Sequence, residues 1–303
     1  MKKFFSFLLA ALVILSFASC NKGTAPTVKP ADQGNEQSGD NTGDNTGDNT
    51  GDNTGDNTDK EEWVDVEVVV KTAYIEAIVE WLEENDWQAE RTGETRWDLS
   101  YDDYGFITSA IVAGKDDLSY IFDYNEGRTQ CDVSLKSEED LVIYTLKLNE
   151  QGLCTEFTNN LKDPAEVWTY EYDPNGFQLK AMKGGEVKTE YAINNNNIFT
   201  WSRDGSRLKE HKYNDIDNVA DLHTAYSEDA GLSRFLYETG LFGRGSAKIC
   251  TEAKWQDRDT KATFEYEFDE ATGGVIKEVK YYGGDYDFDV AFAVGKKTIK
   301  VKK

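Results

Sequence analysis

The chain has 303 residues, with 57 acidic against 33 basic side chains and a formal net charge of −24. Such an excess of carboxylates argues against nucleic acid or an anionic membrane surface as a direct partner, because both are polyanions. No Gly-x-Ser-x-Gly elbow, phosphate-binding loop, dinucleotide fingerprint or His-Glu-x-x-His helix occurs in it.

Lys2 and Lys3 form a positive start, and Phe4 to Phe17 an apolar run too short to span a bilayer. Residues 1–19 read as a secretory signal peptide. The following Cys20 resembles the lipidated cysteine of the bacterial lipobox, with Phe17 where Leu is most usual. The resemblance implies a lipid on Cys20 that anchors the protein in the outer membrane, facing either the periplasm or the cell surface.

Residues 20–61 are nearly devoid of apolar side chains and contain five tandem Gly-Asp-Asn-Thr units from Gly39 to Thr58. This composition cannot bury enough surface to offset its ordering entropy, so a disordered tether is expected, spanning roughly 35 Å as a coil. The four-residue period lacks the ligand spacing and bidentate Glu of an EF-hand calcium loop.

From residue 62 the composition turns aromatic and β-branched, and residues 62–303 are expected to form a single β-rich domain. Within it, Tyr74, Ile75, Ile78, Val79 and Leu82 fall on one helical face, which predicts an N-terminal helix over Thr72–Asn85. A repeat follows. Tyr101, Tyr124, Leu148 and Tyr172 recur every 23 to 24 residues, each followed by Asp or Asn and then a Gly, and a later copy runs from Thr263 into Gly273-Gly274. Alternating strands closed by Asp/Asn-Gly turns predict one hairpin per unit, stacked as an antiparallel meander, either barrel-like or an open curved sheet. Trp97 and Trp168 share a repeat position on the expected core face.

These Tyr-x-Tyr-Asp-x-x-Gly units resemble the tyrosine-aspartate repeats of RHS-type proteins. They are still more similar to a family of uncharacterised Bacteroidetes lipoproteins with a porin-like β fold, as is Gly240-Leu-Phe-Gly-Arg-Gly-Ser246. The resemblance covers Trp97 to Phe292 and implies strand topology, not an activity. A lipidated, strongly acidic domain is expected to be soluble rather than membrane-spanning.

The hairpin period fails between Asn214 and Cys250, where Ile216, Val219 and Leu222 have helix-like spacing. Such an interruption is either a cap over one end of the sheet or a binding loop. Trp201, Trp255 and Phe242 are the candidates for aromatic platforms that would stack on a sugar ring. Asp285, Asp287 and Asp289 alternate with apolar residues and would share a solvated strand face, a weak calcium candidate at best. His211 and His223 fit no zinc spacing and read as surface or turn residues, and no metal or cofactor is expected. Cys131 and Cys154 fall in neighbouring units, so a bridge between them stands beside the reading of buried thiols. The functional expectation is a non-catalytic binding or scaffolding lipoprotein whose partner is a glycan or an envelope protein. A surface glycan-binding accessory protein is the alternative, and an enzyme acting on an envelope polysaccharide a distant one.

Overall fold

A computed structural model describes residues 62–82, 88–203, 207–226, 231–256 and 260–302, all within one compact unit spanning Asp59–Lys303. The signal peptide, Cys20 and the tether lie outside the described residues. Sixteen strands form one closed antiparallel barrel in which every strand pairs with its neighbours in sequence and the first pairs with the last. They are Trp63–Leu82 (β1), Gln88–Tyr101 (β2), Ile107–Ile111 (β3), Tyr120–Tyr124 (β4), Gln130–Leu135 (β5), Glu138–Leu148 (β6), Cys154–Asn159 (β7) and Glu166–Tyr172 (β8). The second half comprises Gln178–Lys183 (β9), Glu186–Asn194 (β10), Asn197–Arg203 (β11), Arg207–Asp217 (β12), Lys248–Trp255 (β13), Lys261–Phe268 (β14), Val275–Tyr282 (β15) and Asp285–Lys302 (β16).

The expected N-terminal helix is overturned: residues 72–82 belong to β1, and 83–85 lie outside the described residues. Two irregularities flank or face this stretch without interrupting it. Thr72 is an extra residue against β16, and the β1–β2 register shifts between Ile78 and Val79. Within 73–82 β1 itself is unbroken, so alternation puts Tyr74 and Ile78 on one face and Ile75 and Val79 on the other, and apolar residues on both faces of a strand imitate a helical stripe. The edges of β16 and β2 also require β1, since an unpaired strand edge is left without hydrogen-bond partners. The sheet is closed rather than open.

The connections after even-numbered strands share one end of the barrel, here the turn end. Their chemistry follows the sequence. The Asp102 carboxylate accepts the N–H of Tyr104 at 2.8 Å and of Phe106 at 3.1 Å, and Asp173 accepts those of Asn175 and Phe177 at 2.9 Å. Gly105, Gly152 and Gly176 then take φ of 84°, 78° and 88°, a region that suits glycine. In the unit that starts at Asn125 the positive φ falls on Arg128 rather than on the expected Gly127.

The recurrent tyrosines have a second task. Tyr124 donates its hydroxyl to the carbonyl of Ile107 at 3.0 Å, Tyr172 to Cys154 at 2.6 Å, Tyr213 to Ile198 at 2.5 Å and Tyr266 to Cys250 at 2.6 Å. In every case a tyrosine of an even strand satisfies a carbonyl near the start of the strand before it, where the ladder has barely begun. Burial holds all four phenols protonated, their pKa values well above the ordinary range. Replacing Tyr172 with Phe orphans a buried carbonyl and is expected to cost about 1–3 kcal/mol. Replacing Tyr281, which meets Glu265 at the exposed surface, should stay within about 0.5 kcal/mol. Urea midpoints at unchanged m-value check both.

Candidate functional site: a plugged barrel and a cleft at its rim

The interruption between β12 and β13 is neither a cap nor an exposed loop. Its described residues turn into the barrel as a plug, with Leu222, Tyr226, Phe235, Tyr237 and Phe242 in the core and one five-residue helix among them, Arg234–Glu238 (α1). Ile216 and Val219 are exposed, and no helix forms over the spacing that suggested one. The plug's aromatic residues reach the wall at separate places. Phe235 packs against Trp97, Tyr120 and Tyr74 at 5.3, 5.5 and 5.6 Å, while Phe242 meets Phe157 and Tyr170 edge-on at 5.9 and 5.6 Å. Between them Tyr226 and Tyr237 stack at 4.7 Å, and Tyr226 also abuts Tyr191 of β10.

A buried charge network ties the plug to the wall. Lys71 of β1 reaches Glu238 at 2.7 Å, Arg234 bridges Glu238 and Glu278 of β15, and Thr224 donates to Glu278. His223 adds a contact of 3.3 Å to Glu238 and one of 2.8 Å to the Gly243 carbonyl. Two cations face two carboxylates. Burial by itself would raise the Glu238 carboxyl, but Lys71, Arg234 and His223 hold it well below the usual carboxylate range. Side-chain exposures of 0% for Glu238 and 1% for Glu278 leave no surface for a substrate to reach.

The candidate platform residues occupy different settings. Trp201 is 5% exposed and Phe242 fully buried, so neither presents a face to a ligand. Trp255 is half-buried near the end opposite the turns, where the Lys209 ammonium lies 4.7 Å from its ring and 5.7 Å from that of Trp201. The three aspartates do not share a face. A register shift in the β15–β16 pairing, between Lys280 and Tyr281, breaks the alternation. Asp287 pairs with Lys280 at 2.6 Å, Asp289 is buried against Arg91 at 2.8 Å, and Asp285 is exposed. Among the described residues no three His, Cys, Asp or Glu side chains converge as a metal site.

His211 and His223 are both buried, not surface residues. Cys131, Cys154 and Cys250 are free and buried. Cys131 and Cys154 flank β6 on either side, two strand spacings or about 10 Å apart, beyond the reach of a disulfide. Burial pushes Cys131 and Cys250 up to about 12, so both stay thiols and lack nucleophilic character.

The end of the plug emerges at the turn end and forms a cleft of about 290 Å³ with the β8–β9 and β10–β11 turns, lined by Asn175, Asn196, Asn218, Asp221 and Arg244 among others. Arg244 stands between two obligatory glycines. A Cβ on Gly243 would lie 2.9 Å from the Tyr226 hydroxyl, and one on Gly245 would collide with the Leu222 carbonyl. The Arg244 N–H donates to the Gly176 carbonyl at 2.9 Å and its own carbonyl accepts from Tyr226 at 2.6 Å. Composition gave no hint of this cleft; the glycines around a lone arginine were the available signal.

No protein-family model and no curated protein matches the chain. Among solved structures, a porin-like protein from Bacteroides uniformis ATCC 8492 aligns with a TM-score of 0.53 at 15% identity, covering 74% of this chain and 98% of that one. A porin-like protein from Bacteroides vulgatus ATCC 8482 aligns at 0.44 with 11% identity, over 74% and 98% of the two chains. The first likeness is one of barrel fold.

Two predictions follow from the buried polar groups. Glu238→Gln strands Lys71 without its counter-charge and should cost about 3–5 kcal/mol, part of which the double variant with Lys71→Met should recover; a double-mutant cycle in urea reads the coupling. Burial, with Lys209 adding to it, pushes His211 down to about 3 from its usual 6.5. It is neutral in the fold, while the unfolded chain takes up a proton below about pH 6.5, so stability is complete above that pH and falls progressively toward pH 3, by roughly 3–5 kcal/mol. His211→Leu should flatten the slope between about pH 5 and 6.5 in equilibrium unfolding.

Proposed function

We propose that this protein is a cell-envelope lipoprotein whose barrel, residues 62–303, stands in water as a non-catalytic binding or scaffolding domain. A lipid on Cys20 and the tether of residues 20–61 hold it at the outer membrane. The filled lumen carries this reading. A barrel of this strand number would otherwise leave an aqueous channel, but here aromatic stacking and a closed salt network occupy the interior. Such a filling favours binding or scaffolding over passage of a solute.

The outer face supports a position outside the bilayer. Cross-strand charge pairs run over it: Lys147 with Glu156, Glu171 with Lys180, and Lys212 with Glu252 and on to Lys261. The last two lysines draw the Glu252 carboxyl down to about 2. A spanning barrel would present an apolar band there, with strands of about 9–11 residues; β3 and β4 have five residues and β5, β7 and β9 six. Buried thiols and inaccessible carboxylates favour binding over chemistry. A glycan-binding role keeps support from the polar rim cleft rather than from Trp201 or Phe242.

Fractionation of cells that produce Cys20→Ala tests the reading. The wild-type chain is expected with the membranes and the variant in the soluble fraction; a variant that stays in the membrane without its cysteine would mean that the barrel itself is embedded. Antibody against residues 62–303, applied to intact and permeabilised cells, then reports which face of the membrane it occupies.

A further inference from the structure

We propose that the turn-end cleft binds the carboxylate-bearing unit of an acidic glycan, with Arg244 taking the carboxylate and Asn175, Asn196 and Asp221 taking hydroxyls. This deepens the binding-domain reading and rests on it for its biological setting.

Arg244 is the anomaly that points there. Arg91, Arg96, Arg128 and Arg234 each pair with a carboxylate, as a chain of net charge −24 makes easy. Arg244 is exposed in the cleft and makes no ion pair among the described residues. It is not a loosely held surface side chain either. Its backbone is fixed on both sides by hydrogen bonds to Gly176 and Tyr226, and the Asp221 carboxylate takes the N–H of Gly245 at 2.8 Å. Its stem lies against Gly176, where a Cβ would approach Cγ and Cδ to 3.2 Å. A guanidinium presented on so rigid a segment loses little freedom when it grips a planar oxyanion with its two-pronged donor geometry.

The rest of the lining narrows the ligand. Asp221 has a side chain 47% exposed and can accept hydrogen bonds from hydroxyls, while it repels a bare anion. Asn175 and Asn196 offer amides that both donate and accept. One guanidinium for a charge, one carboxylate and two amides for hydroxyls match a sugar acid better than inorganic phosphate. The volume of about 290 Å³ lies at the small end of ligand sites and suits one sugar unit.

Calorimetric titration of the full-length protein with D-glucuronic and D-galacturonic acid tests this, with glucose and inorganic phosphate as separate arms. At least one uronic acid is expected to bind, with glucose and phosphate each at least about tenfold weaker. Arg244→Ala should weaken uronic acid binding about 10–100-fold at unchanged melting temperature, with Arg244→Lys in between. Absence of uronic acid binding to the folded protein, equal binding by Arg244→Ala, or phosphate binding as tightly as the uronic acid would each overturn the assignment. Such a failure removes the ligand alone; the lipoprotein reading stands or falls on the fractionation of Cys20→Ala.

Discussion

The structure depends on the need to fill a sixteen-stranded barrel. Wall side chains fill the interior of about eight strands; at twice that number a lumen remains that must hold water or more protein. Here the chain supplies the filling from within itself, between β12 and β13. Phe235 carries the contact to β2 and β4, Phe242 to β7 and β8, and the Tyr226–Tyr237 stack reaches from Phe242 to Tyr191 of β10. Among its described residues five are helical, so the conformation of the plug is held by the wall rather than by local hydrogen bonding.

Charges inside such a lumen are stable only if they are balanced. Lys71 and Arg234 against Glu238 and Glu278 meet that condition, and they join β1, the plug and β15 in one network. Apolar residues of the same size would hold the plug at least as strongly, so the network contributes position more than net stability. It fixes which way α1 faces, and with it where the outgoing segment through Arg244 reaches the rim. Packing at the centre is thereby connected to a part of the plug that meets solvent in a cleft.

The wall solves a different problem. Short strands leave carbonyls near their starting ends beyond the regular ladder, and the recurrent tyrosines cover them with hydroxyls, four times over. The same side chains bury their rings against the core. On the outer face, lysines on neighbouring strands meet part of the surplus of carboxylates.

Local chemistry was legible in the sequence. The Asp-x-x-Gly turns, the hairpin period and the core-facing Trp168 follow from side chains that act on their own backbone or on the next strand, within a few residues. Residues 74–82 imitate a helical stripe because both faces of the strand carry apolar side chains, and only closure against β16 demands the strand. Asp285, Asp287 and Asp289 are separated by a bulge within β16, where Asp287 is the extra residue against β15. The burial of His211, His223, Trp201 and Phe242 and the balance around Glu238 depend on contacts between residues that are far apart along the chain. The sequence by itself determined the hairpins and their turns, because those interactions are short-range. The tertiary structure alone decided that the ends of the sheet meet and that the interruption turns inward, because both depend on satisfying edges and filling a volume that exist only once all sixteen strands are in place.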